Sequence, residues 1–144
     1  MAIDLPEAIE RVVSSRIARL ASTRPDGHPH IVPITFASIG ESLVTMIDHK
    51  PKRTHNLQRL RNIESSPHVS VIVDEWSEDW ERLWWVRLDG SAFIHRDDDV
   101  WREARMALVT KYRQYQEHPP VGPAILITID RVTSWEGTRR SHPQ

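Results

Sequence analysis

Short apolar runs separated by turn residues dominate this chain, and their spacing predicts its elements. Ile17–Thr23 and His30–Ala37 flank Pro25-Asp26-Gly27. There proline pre-sets φ, aspartate caps locally and glycine supplies φ > 0. The result is a hairpin whose second strand puts Val32, Ile34 and Phe36 on one face and Ile31, Pro33 and Thr35 on the other. Pro33 brings no N–H to a ladder, so this strand belongs at a sheet edge or turns unpaired backbone toward something else. Leu43–Asp48, His68–Asp74, Leu83–His95, Ala124–Asp130 and Val132–Glu136 read as further strands, with Gly90 marking a bulge or bend.

Helical spacing appears three times. Leu5–Ser15 carries an apolar stripe of Leu5, Ile9, Val12 and Val13, with Pro6 in the first turn. Arg53–Ile63 turns Leu57, Leu60 and Ile63 inward, and Ser65-Ser66-Pro67 stops it. Val100–Gln116 follows an Asp97–Asp99 cap and repeats Trp101, Ala104, Leu108, Tyr112 and Tyr115, a set that reads as helix packing. About seven strands and three helices joined by short turns give an α+β domain on an antiparallel sheet. Strands that must hide their edges suggest a barrel. No linker interrupts residues 1–144, so a single domain is expected, ending in a polar tail, Thr138–Gln144.

Composition narrows the function classes. A formal net charge of −1 points to neither nucleic acid nor membrane. The absence of cysteine removes disulfides and thiol chemistry and fits a cytoplasmic protein. The N-terminus lacks a signal-peptide core, and no apolar run has membrane-spanning length. His28-x-His30 places two imidazoles on one strand face, but no third ligand is evident and no metal is assigned. The acids between Asp74 and Glu81 read as a solvated connector. Trp84 and Trp85 must face opposite sides of their strand, and parity does not say which of them lines a pocket.

One local imbalance stands out. Lys50, Lys52, Arg53, Arg59 and Arg61 lie between Asp48 and Glu64 with no acid among them. They sit where a strand ends and a helix begins, and a helix N-terminus with cations suits a phosphate. A solvated cationic helix face is the competing reading.

In order, DGHPHIVPITF, KPKRTHNL and SPHVSVIVD resemble the split β-barrel superfamily of pyridoxamine-phosphate-oxidase-like flavoproteins, and within it HKPKRT, LQRLRNI and RLWWVRLDG look most like the branch that uses the deazaflavin coenzyme F420. The resemblance implies an antiparallel FMN-binding-type split barrel with short flanking helices. It implies an oxidoreductase that transfers hydride between F420, or alternatively FMN, and a small molecule, with a non-catalytic flavin or haem carrier as the other alternative. It implies a homodimer with the cofactor site at the subunit interface. By position it nominates Lys52, Arg53 and Thr54 for the phosphate. Val32, Pro33, Ile34 and Thr35 fall along the ring, Trp85 is nominated for cofactor binding on the later strand, and Lys50, Arg59 and Arg61 could take an acidic tail. No catalytic side chain is nominated. Val32 stands where the oxidase pattern has arginine, Trp85 where it has glutamine, and Ala37 where it has a substrate-binding basic residue. These departures argue against a true pyridoxamine-phosphate oxidase.

Overall fold

A computed structural model describes residues 1–47 and 55–137 of the chain. Helix α1 (Leu5–Ser14) leads into the hairpin of β1 (Ala18–Thr23) and β2 (Pro29–Ile34). Strands β3 (Ala37–Ile39) and β4 (Ser42–Met46) follow, then α2 (His55–Ser65), β5 (His68–Glu75) and β6 (Trp84–His95). Helices α3 (Asp99–Lys111) and α4 (Arg113–Glu117) precede the long last strand, β7 (Ala124–Glu136). The strands form one seven-stranded sheet in the order β2-β1-β5-β6-β7-β4-β3, with every pairing antiparallel. Its two edges, β2 and β3, are consecutive in the chain and separated only by Thr35 and Phe36. That short connection curls the sheet into a split barrel.

The hairpin forms as its sequence dictates. Gly27 adopts φ +93°, its N–H donates to the Arg24 carbonyl at 2.8 Å, and Asp26 accepts from the His28 N–H at 3.0 Å. Pro33 lies on the edge strand, opposite Arg19 of β1. The register shifts between Asp89 and Gly90, where a Cβ on Gly90 would stand 1.9 Å from the Thr128 carbonyl oxygen. Only a glycine lets β6 and β7 approach this closely.

Alternation along β1, β5 and β6 fills the barrel. Leu20, Val71, Val73, Val86 and Leu88 join Ile125 and Ile127 of β7 in a core sealed from solvent. Each such burial stabilises by roughly 1.5–3 kcal/mol. A second, smaller cluster packs Ala104 and Leu108 of α3 and Tyr115 of α4 against Val44, Met46 and Ala124, the helix-packing role the spacing predicts.

Four elements differ from the sequence reading. The strand read as His30–Ala37 ends at Ile34, and Ala37 opens the separate strand β3. Ala124–Glu136 is one continuous strand, because it pairs along its whole length with β6. The helix after β6 breaks at Tyr112, whose φ −117° and ψ 126° are extended. The cause is tertiary: the Tyr112 hydroxyl lies within hydrogen-bond distance of Phe36 N, Phe36 O and the Arg16 carbonyl. Helix α1 buries Ala8 and Val12, while Leu5, Ile9 and Val13 of its expected stripe stay exposed. Among the described residues no helix is long and apolar enough to cross a membrane.

Candidate functional site

Cross-strand partners share a face, as do residues two apart on one strand. The pairs Pro33–Arg19, Arg19–Ile72 and Ile72–Arg87 therefore run across the outer face of the sheet, and Trp85 stands on that face two residues before Arg87. Val32 and Ile34 point the other way: Ile34 is buried in the core and Val32 packs against it. So the nominated strand offers the outer face the ring of Pro33, while Val32 and Ile34 have only backbone to offer there. Exposed Ile31 flanks Pro33 on the same face.

Trp85 pairs across the sheet with Asp74 on one side and Trp135 on the other. A cavity of about 320 Å³ opens here, lined by Ile72, Asp74, Glu75, Trp76, Trp84, Trp85, Arg87 and Trp135 among others. The ambiguity between Trp84 and Trp85 resolves unevenly, since both border the cavity. Trp84 also packs against the core, and its Nε1–H donates to Glu75 at 3.2 Å. The Arg87 guanidinium stacks over Trp85, 5.8 Å from the ring centroid. Trp135 is the partner the sequence reading missed. Only the β6–β7 register brings it alongside Trp85, and nothing local in the sequence signals that.

The other nominated residues gather at a different place. Thr35, just past the end of β2, lies with its Oγ1 2.8 Å from the Tyr115 hydroxyl, and its carbonyl accepts from Thr45 Oγ1 at 2.7 Å. Arg59 of α2 is only 9% exposed, and its electrostatic partner is that same Tyr115. Burial pushes the Arg59 guanidinium below its ordinary pKa, and Tyr115 partly opposes the shift. Arg61, two residues on, is exposed, and its Nη2 donates to Gln58 at 3.0 Å. Thr35 and Arg59 are thus linked through Tyr115, a residue not nominated from sequence, while Pro33 and Trp85 belong to the outer face. Lys50, Lys52, Arg53 and Thr54 lie outside the described residues, as does the tail Thr138–Gln144.

Beside Ala37, a cation stands close by in space. Lys111 of α3 and Arg16 line a cleft of about 550 Å³ with Ala37 and Ser38. The Lys111 ammonium donates to the Phe36 carbonyl at 2.9 Å and lies 3.9 Å from the centre of the Phe36 ring. Partial burial, with Arg16 nearby, lowers its pKa to about 8.

The sequence profile of the family described as pyridoxamine 5'-phosphate oxidase matches residues 5–136. The chain belongs to that family. Solved structures share its split barrel. A conserved hypothetical protein from Mycobacterium tuberculosis superposes with a TM-score of 0.77 at 21% identity, over 93% of this chain and 85% of the other. An FAD-binding protein from Mesorhizobium loti gives 0.75 at 21% identity, over 96% and 98%. The haem-storage protein HutZ from Vibrio cholerae gives 0.71 at 18% identity, over 92% and 96%. At these identities the likeness is one of fold. No curated protein sequence matches the chain.

Proposed function

We propose that the protein is an F420-dependent oxidoreductase, working as a cytoplasmic homodimer with the cofactor at the subunit interface. The observation that carries this is the outer face of the sheet, which bears Pro33 on its edge strand and, three strands away, Trp85 in an aromatic-walled cavity of about 320 Å³. A planar tricyclic ring suits such walls. The residues present fit that group in kind: indole faces for the ring, backbone of β2 for its polar edge, and a basic segment for its phosphate. Lys52, Arg53 and Thr54 are assigned to the phosphate, and Lys50 and Arg61 to the acidic tail; Arg59, nominated with them from the sequence, is buried and is left out of this set. When bound, the deazaflavin supplies hydride chemistry. The protein's part is to orient the ring and exclude water from its face.

The choice of F420 over FMN rests on the two departures. Trp85 offers one donor and no acceptor, and Val32 offers neither, so FMN loses polar partners on this fold. A longer acidic tail recovers affinity through additional cations. A second reading, a flavin or haem carrier without turnover, draws support from the fold it shares with the FAD-binding and haem-storage proteins.

Titration of the purified protein with F420, FMN and haem tests the assignment. The expected result is colourless protein from a host lacking F420, and F420 bound at least tenfold more tightly than FMN, a gap of about 1.4 kcal/mol. Reversing both charges in K52E/R53E weakens that binding, each charge-assisted contact being worth roughly 1.5–3 kcal/mol. A yellow preparation carrying stoichiometric FMN overturns the cofactor choice. Tight F420 binding with no turnover of reduced cofactor against any acceptor favours the carrier.

A further inference from the structure

We infer that Arg59 is a receptor for an oxyanion, the carboxylate or phosphate group of a small ligand, at a site inside the fold and separate from the outer-face ring groove. The starting point is an exception in the polar accounting of α2. Asn62, fully buried, donates to Ser22 Oγ at 3.0 Å and accepts from Gln58 at 2.7 Å, so its amide is matched on both sides. Arg59, one turn away on the same buried side, is not matched. Its Nε is sealed from solvent and, among the described residues, has no hydrogen-bond partner. Among the described residues the guanidinium makes no salt bridge, and the group that acts on it electrostatically is the Tyr115 hydroxyl. Buried polar groups in native folds are paired, and a buried cation without a counter-charge is costly. A fold that satisfies Asn62 so fully and leaves Arg59 open holds a place for a negative group.

The chemistry of that group follows from the donors. A guanidinium presents its N–H groups in a rigid planar fork that matches two oxygens of a carboxylate or phosphate. Among the described residues the Tyr115 hydroxyl is the group that acts on the cation, and that hydroxyl lies 2.8 Å from Thr35 Oγ1. Low dielectric strengthens a charge-assisted contact made there. The inference does not depend on which cofactor the outer face takes.

Nuclear magnetic resonance of the ¹⁵N-labelled full chain tests it directly, through the Arg59 Nε–H signal. Loss of that signal in Arg59→Lys, or in Arg59→Gln should the lysine variant not fold, assigns it. Sodium phosphate and sodium acetate are titrated separately against sodium chloride at equal ionic strength. The expected result is a saturable displacement of the Arg59 signal with one or both oxyanions and none with chloride. Phosphate alone, acetate alone, or both then name the ligand's anionic group. The same titration in K52E/R53E should retain the displacement to within about twofold in affinity, even if that variant has lost all cofactor binding. An Arg59 signal that neither oxyanion moves, or that chloride moves equally, overturns the proposal. So does a displacement abolished in K52E/R53E, which would place the anion on the basic segment instead.

Discussion

Two arginines of this protein are both largely withdrawn from solvent, and they are treated in opposite ways. Arg11 of α1 reaches across to the end of β7, where its Nη2 lies 3.1 Å from Glu136 Oε1. It also bonds Glu7 one turn back on its own helix, and its guanidinium lies over the Trp84 ring at 5.2 Å. Its Nε and Nη2 meet carboxylates, and the guanidinium faces a π ring. Among the described residues Arg59 has neither an acid nor a hydrogen-bond partner for its Nε. The first arrangement ties the N-terminal helix to the sheet. The second contributes nothing to stability that can be traced to pairing. A buried cation matched by the chain's own acids is structural, and one left unmatched is available to something that is not part of the chain.

Removing each arginine separates the two roles. Arg11→Met breaks a partly buried pair and leaves Glu136, itself mostly covered, without that cation. Stranding one partner of such a pair is more damaging than the pair is worth, so the expected loss is about 2–3 kcal/mol in urea unfolding. Double replacement of Arg11 and Glu136 by apolar residues should recover part of it. A loss below about 0.5 kcal/mol, the range of an ordinary surface substitution, would mean that the Arg11 contacts are no more than surface decoration.

How much of this was legible in the sequence depends on the range of the cause. The hairpin turn, the alternation that sends Val32 and Ile34 inward, the edge position of Pro33 and the close approach at Gly90 all follow from rules acting over a few residues. Residues brought together from far apart were not legible. Trp135 meets Trp85 through a strand register, and Tyr115 meets Thr35 across 80 positions of sequence. The break at Tyr112 arises because its hydroxyl bonds backbone 76 positions away, which no helical periodicity records. The charge excess around Arg59 was visible as composition, but nothing in composition distinguished buried Arg59 from exposed Arg61. The direction each faces comes from the packing of α2 on the barrel.

The second prediction concerns Arg59 without ligand. Arg59→Met keeps the stem packed and discards a charge that has no counter-ion among the described residues. The expected change in unfolding free energy is within about 1 kcal/mol of zero, since lost packing and relieved desolvation oppose each other. If the variant lost as much as Arg11→Met does, Arg59 would be held by contacts within the protein, and the distinction between the two arginines would fail.

The smallest expected effect uses a third cation, Lys111, which sits between the two extremes. It is half-buried against Phe36 and donates to the Phe36 carbonyl, and its pKa is lowered by burial first and by Arg16 second, to about 8. In the unfolded chain a lysine titrates near 10.4. Below pH 8 both states hold the proton, and the native state bears the cost of the buried charge. Between about 8 and 10 the unfolded state binds more protons, so stability rises with pH. Tyr112, which packs beside it, has its pKa raised by burial and pulls stability down again as pH passes 10. Lys111 is far from fully enclosed, so solvent screening leaves only a fraction of the nominal gain, on the order of 1 kcal/mol. Unfolding midpoints measured from pH 7 to 10 should therefore climb in the parent and stay flatter in Lys111→Met. An identical climb in both would show that Lys111 keeps an ordinary proton affinity, and that an unpaired cation in this fold need not be a strained one.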